Sequence, residues 1–535
     1  MNPDKNISQH LESSHSAGYD GKVDAPSKSE ANPVMLPYHG SDTVDGLSPE
    51  HREYLLRVHG TLDLDPIPAM DDADPYNWPL WKKTTNLALV SFHAMMATFT
   101  AGAIQSAFFE IHLDLGVSLQ RASYLTSLVI AVLGGAPLFW KPLADRYGRR
   151  PIFLLSLVCS LVGNIGCAKS PSYATMGLCR AITAFFISPA LAIGSGVVAE
   201  TFFKKQRGRY IGIWTIMVTM GVPVAPFIMG FVAYRVNYRW IYWILAIGRY
   251  WKLGGSSHLM QINGVQFVLY LFFGPETRYI RRTDANGIPT NAPSSAVKRE
   301  YLSFGRIDPA PLTIWDFLRP LAMAGHVCIM VPAATYSMVF LIAGVLPTIE
   351  VPQIFVEKFG LNTQQIGLQN LSFIVGAILG EQIGGFLSDK WMLRRERRDL
   401  KRPEPEYRLW LSYIGYLLCV CGVVVFLVQI GRASDKWNIT PLVGAAIGYA
   451  GVQIVTTVMI TYAVDCYREE AASVGVFITF VRQTWGFIGP FWFPPMIQNV
   501  GLYGSAGIVT ALIVIGSIMP TVLLQWKGRS FRNAK

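Results

Sequence analysis

Five side chains able to carry charge stand in stretches otherwise made of apolar residues: His93, Arg180, His326, Glu381 and Arg482. Placing a charge in hydrocarbon costs about 2.5 to 3.5 kcal/mol on insertion scales, which makes each of them a functional pointer. A carboxyl group at such a site can load and release a proton. Glu381, the one acidic residue well inside a predicted span of the second half, is therefore the first candidate for proton coupling. Its plainer role is a helix-end glutamate tied to Gln382 or a neighbouring backbone group. His93 is the second candidate, because histidine changes charge near neutral pH; hydrogen-bonded packing is its alternative. Arg482, about ten residues into its span and so ~15 Å deep, needs a carboxylate, a carbonyl or a substrate anion as partner. Gln382 and Trp485 are the accompanying candidates for a substrate cavity, since an aromatic face suits flat or cationic ligands.

The elements that must hold these residues are long and apolar. Of 535 residues, 51% are hydrophobic, 15% charged and 12% aromatic, a balance that a water-soluble core of this size does not need. Windows of about 20 apolar residues, each able to cross ~30 Å of hydrocarbon, recur along the chain. Twelve spans are predicted, near 84–106, 123–140, 151–168, 172–199, 209–233, 239–274, 321–346, 365–387, 408–430, 440–464, 473–497 and 504–526. The fold class is an all-α polytopic membrane protein. Basic residues gather in alternate turns: Arg146, Arg149 and Arg150 after span 2, Lys204, Lys205 and Arg207 after span 4, and Lys390 to Arg402 after span 8. Those turns and both termini are expected to be cytoplasmic. Basic turns account for the net charge of +11 without nucleic acid as a partner.

Residues 1–75 are polar and lack the apolar core of a signal peptide, so they read as a disordered cytoplasmic tail. Residues 76–276 form one six-helix half, 277–319 a cytoplasmic loop, 320–527 the second half and 528–535 a short tail. Inside span 6 the stretch RYWKLGGSSHLMQ interrupts an otherwise apolar helix, and residues 248–261 read as an unspliced intron. The seven cysteines lie in or beside spans with no metal-ligand spacing, so neither a metal nor a disulfide is expected. No phosphate-binding loop and no nucleophile–base pair is present in the sequence, which argues against ATP-driven transport, an enzyme or a cofactor. Asn438 opens an Asn-Ile-Thr glycosylation triplet, although it stands close to the membrane and Pro441 follows.

The two halves echo each other. LADRYGRR (Leu143 to Arg150) is matched by GFLSDK (Gly385 to Lys390), with Asp145 and Asp389 in step. ETFFKKQRGRYIGIW and VDCYREEAASVGVF place Glu200 and Asp465 at equivalent helix ends. GVPVAPFIMG in span 5 and GFIGPFWFPP in span 11 are likewise equivalent, their small residues permitting close helix contact. A duplicated six-helix unit leaves this pattern.

With LCRAITAFF in span 4 and Pro-Glu-Thr-Arg after span 6, these motifs resemble the major facilitator superfamily over residues 74–530. Within it the chain is similar to the fungal twelve-helix drug:proton antiporter-like transporters, in a clade that includes a yeast transporter of polyamines and histidinol. The resemblance implies that Asp145 holds the start of span 11 while Arg149 pairs with Glu200. Together they would form a cytoplasmic gate, with Asp389 and Asp465 as second-half counterparts. It also implies that Arg180 is the membrane arginine of proton coupling. Lys141 departs from the family, which has glycine there.

The expected function is proton-coupled export of a small organic compound, a drug or fungal specialised metabolite, by alternating access. The partners are that small molecule, protons and the lipid bilayer, for a monomer in the plasma membrane. Proton-coupled uptake of polyamines or other cationic nutrients is the alternative, weakened by the scarcity of acidic residues inside the spans. A membrane sensor retaining a transporter fold is the alternative of another class.

Overall fold

The structure, a computed structural model, describes residues 47–246, 251–253, 256–258, 262–280, 282–283, 289–290, 300–301, 305–309, 311–399, 404–434, 436–467 and 470–533. Its spans are Leu80–Leu115, Leu119–Tyr147, Arg149–Lys169, Tyr173–Thr201 and Arg209–Arg235 in the first half, then Val327–Phe359, Thr363–Met392, Pro405–Arg432, Thr440–Cys466 and Ala471–Arg532. The last run holds two spans, parted where Gly501 takes a left-handed φ of 73°. Span 6 is built from Arg239–Ala246 and Asn263–Phe273. Among the described residues the twelve spans thus follow one another in the expected order.

Each half has its own core. Val90, Leu125, Leu157, Ile187 and Ile241 belong to one buried cluster, and Ile329, Phe355, Phe426, Val455 and Val509 to another. Inside the second half, spans 9 and 10 cross so closely that a Cβ on Gly422 would lie 2.5 Å from the Gly448 Cα. Small residues permit that approach where lipid supplies no hydrophobic drive. The halves meet along two seams, span 2 against span 11 and span 5 against span 8.

Four boundaries differ from the sequence reading. Span 7 runs to Phe359, beyond the expected end near 346. Its π-helical turn Phe340–Val345 is followed directly by Leu346–Phe359, with Pro347 in the first turn, where a proline sacrifices least. Residues 47–75, expected to be disordered, carry a helix, Pro49–His59, capped by Ser48 and ended by Gly60. Leu47, Leu55 and Ile67 form a small core beside it, a signal lost in the polar composition of the segment. The loop between the halves contains a helix, Ile314–Ala322, started by a reciprocal Thr313/Asp316 cap that the linker reading passed over.

Span 6 is the fourth. Trp251–Leu253 pairs antiparallel with Ser256–His258, and the rest of the expected insert 248–261 lies outside the described residues. The helix rejoins across it, for the Ile262 N–H donates to the Ile244 carbonyl at 3.4 Å. In an unbroken α-helix residue 248 would make that bond.

Candidate transport cavity

Between the halves lies a cavity of about 780 Å³, counting space open to solvent. Spans 1, 2 and 5 supply Thr98, Gln105, Thr126 and Thr219, and spans 7, 10 and 11 supply Tyr336, Phe340, Tyr449, Gln453, Arg482 and Gln483. Among the described residues Arg482 is the one charged side chain in this wall. It donates to the Tyr336 hydroxyl at 3.1 Å and its guanidinium carbon lies 4.9 Å from the centre of the Phe340 ring. Its Nε is buried without a hydrogen-bond partner.

Glu381 stands one side chain behind the wall. Its Oε2 accepts from Gln453 Nε2 at 3.3 Å, and Gln453 faces the cavity. No ion pair joins Glu381 to Arg482. Gln382 and Trp485 are corrected as cavity residues: Gln382 is exposed at the start of a π-helical turn, and Trp485 packs against the second-half core. Span 11 turns Gln483 to the cavity instead.

Two further candidates sit away from the wall. His93 is fully buried among spans 1, 3 and 6, with Nε2 3.1 Å from Ser156 Oγ and its ring edge-on to Phe153 and Tyr270. It does not line the cavity, and its Nδ1 is buried without a hydrogen-bond partner. Arg180, 1% exposed, donates to the carbonyls of Leu125 and Thr100 at 3.2 and 3.3 Å and to the Tyr242 hydroxyl at 3.2 Å. It thereby ties spans 1, 2 and 6 together directly behind Ala101 and Thr126 of the cavity wall. His326 precedes span 7, edge-on to Tyr467.

The sequence reading missed Glu350. It is 3% exposed, one residue beyond Ile349 of the cavity wall, and its Oε1 has no hydrogen-bond partner. Ending span 7 early had placed it outside the membrane, so Glu381 is not the sole acidic residue within the second-half spans.

The two ends of the cavity differ. At the end away from the basic turns, Thr363 donates to Glu110 and the rings of Tyr124 and Phe491 stack at 4.5 Å, both across the halves. A Cβ on Gly230 would lie 3.0 Å from the Gly367 Cα, so spans 5 and 8 touch backbone to backbone there. At the basic end Asp145 accepts from Lys141 Nζ at 3.1 Å and does not hold span 11. A cleft with about 560 Å³ of empty space, lined by Asp145 on one side and Ser473 of span 11 on another, lies there. Lys141, the residue replacing the family glycine, is thus the partner that Asp145 has.

The other residues expected at the gate lie as follows. Arg149 donates to Glu200 at 2.8 Å, and Arg408 lies 3.6 Å from Asp465 at the equivalent place. Glu276, of the Pro-Glu-Thr-Arg motif, accepts from the Arg149 and Arg150 backbone N–H groups at 2.9 Å each, holding the first turn of span 3. Burial pushes its carboxyl up from the ordinary range, against the pull of these bonds. Asp389 belongs to the helix Ser388–Asp399, and its side chain lies outside the described residues. Asn438 is exposed and accepts from the Thr440 N–H at 3.1 Å. Among the described residues no His, Cys, Asp and Glu cluster is arranged to hold a metal.

Two six-helix halves with a cavity between them, sealed at one end, are the build of a multi-pass secondary transporter. The chain belongs to the Major Facilitator Superfamily, whose sequence profile matches residues 87–490. It is 25% identical over 492 residues to the uncharacterized transporter mfc1 of Schizosaccharomyces pombe, covering 87% of this chain and 94% of that protein. It is 23% identical over 474 residues to the efflux pump radE of Floropilus chiversii, covering 86% and 83%. Against polyamine transporter 3 of Saccharomyces cerevisiae it is 24% identical over 477 residues, covering 86% and 71%.

Proposed function

We propose that this transporter exports a small organic compound across the plasma membrane in exchange for protons, with both termini and the basic turns cytoplasmic. The observation that carries the reading is the Gln453–Glu381 bond, which connects a carboxyl group to the cavity through one amide. An ionised carboxylate only accepts hydrogen bonds, whereas a protonated one also donates. When Glu381 takes a proton, Gln453 can turn its carbonyl to it and offer the cavity a different face. Proton and substrate then compete through one side chain. The far-end seal and the Asp145–Lys141 pair support a state open toward the cytoplasm, where an exporter loads. Asp145 is released from span 11 in that state, and the family gate would re-form as the halves rock. The efflux name of the radE relative supports the direction. Polyamine uptake is not favoured, because among the described residues the cavity wall contains no carboxylate.

Inside-out vesicles test this. An acid-inside gradient should drive uptake of a compound from a panel of hydrophobic drugs, and Glu381→Gln should abolish it. Polyamine entry into intact cells, with no gradient-driven vesicle uptake, would reverse the direction.

A further inference from the structure

We propose that the cavity takes an organic anion with a flat, hydroxylated body, its carboxylate or phenolate seated on Arg482. This names the substrate class of the transport reading above and rests on it. Arg482 carries a full charge into the seam between the halves, and a guanidinium has five N–H donors to satisfy. Its one hydrogen bond goes to a neutral hydroxyl, that of Tyr336, and its buried Nε has no partner. A cation withdrawn from water without a counter-ion is costly, and a planar fork fits a carboxylate in two parallel bonds.

The opposite wall gives the rest of the outline. Gln105 Oε1 and Thr126 Oγ1, both on the first half, are buried and also without partners. An unpaired amide oxygen asks for a ligand donor, and a hydroxyl group on the substrate supplies one. Phe340, Tyr336 and Tyr449 line the second-half side with apolar ring faces. A bound anion would therefore bridge the halves, acid group to span 11 and hydroxyl to spans 1 and 2. A polyamine would bring its charges against Arg482 and meet no carboxylate among the described residues of the wall.

Equilibrium binding to the purified full chain tests the proposal without any gradient. The probes are 2,4-dihydroxybenzoate with its methyl ester, salicylate with its methyl ester, resorcinol and spermidine, each titrated by calorimetry. The acids should bind at least tenfold more tightly than their esters and resorcinol, as a charge-assisted bond requires, and spermidine should not bind. In Arg482→Gln the acids should fall to the affinity of the esters, while Arg482→Lys keeps part of the difference. An unchanged unfolding temperature without ligand shows that both variants fold. Equal binding of acid and ester, tighter binding of spermidine, or no binding by either acid overturns the proposal. Acid binding with no gradient-driven flux would fault the transport reading instead.

Discussion

Arg408 and Asp465 stand 3.6 Å apart at the basic end of the second half, where the first half has Arg149 and Glu200 at 2.8 Å. In each half an arginine at the start of one odd-numbered span reaches an acid at the end of the next span. Arg408 also donates to Ser388 Oγ at 2.7 Å, binding span 8 into the corner. Asp465→Asn should destabilise the protein by about 1 to 3 kcal/mol, the usual cost of leaving a largely buried charged donor short of its acceptor. The double replacement Arg408→Met with Asp465→Leu should recover part of that loss. Thermal unfolding of both variants in detergent checks this, and a double replacement less stable than Asp465→Asn would show that the pair is not coupled.

Closure of the far end depends on bare backbone. A Cβ on Gly367 would lie 2.7 Å from the Pro226 carbonyl oxygen, and backbone cannot yield as a flexible side chain does. Gly367→Leu should fold, hold that end apart and lower transport at least tenfold. With the seven native cysteines removed, Thr348→Cys in the cavity wall should then react with a membrane-impermeant thiol reagent from outside the cell. Protection equal to that of the parent chain would show that the glycine contact does not close the gate.

Glu350 is buried beside the cavity with one oxygen unpartnered, a position that suits a second proton carrier. Glu350→Gln keeps the shape and removes the titration. Folding should be preserved, gradient-driven transport should fall at least tenfold, and binding of ligand at equilibrium should stay within a few-fold, because Glu350 is not part of the wall. Unaltered gradient dependence would assign the carboxyl group to packing.

The membrane fold was legible in the sequence because hydrocarbon accepts only long apolar helices, and these leave an unmistakable composition. The internal echo located Glu200 and Asp465, and Arg482 was found from its charge alone. What failed was local. Gln453 and Gln483 are neutral, and nothing in their type separates a cavity glutamine from a packed one. Glu350 was lost because the predicted span ended near 346, whereas the π-turn Phe340–Val345 runs straight on into Leu346–Phe359. His93 was the reverse case: its residue type marked it as a candidate, but only the packing of spans 1, 3 and 6 could place it away from the cavity.

The insert in span 6 makes a sharp prediction. Removing residues 248–261 would make Ile262 follow residue 247, and its N–H would then bond Ile244 as the fourth residue back, the bond already present. The shortened chain should therefore fold with an unbroken span 6, express at least as well and unfold at a higher temperature. The mature transcript should lack the corresponding codons. Loss of folding on deletion would show that the segment is an integral part of span 6.

The segment before span 1 should respond to pH. Tyr76 of this segment donates to the Ala199 carbonyl at 2.7 Å and stacks on Phe203 at 5.0 Å, docking on the turn between spans 4 and 5. His59 meets the same Phe203 edge-on at 5.3 Å, and its Nε2–H donates to Asn77 Oδ1 at 2.9 Å. Desolvation holds the His59 imidazole below its ordinary value of 6.5, outweighing the opposing effect of the Asn77 bond, and nearby Lys83 adds to the lowering. The charged ring is thus disfavoured in the docked segment relative to the free one. Docking should be fully stable above pH 6.5 and should weaken as the pH falls below that value toward the lowered one. Hydrogen exchange across Pro49–His59 should be faster at pH 5.5 than the ordinary pH dependence of exchange allows. His59→Gln should remove that excess, and its persistence in the variant would place the pH response elsewhere.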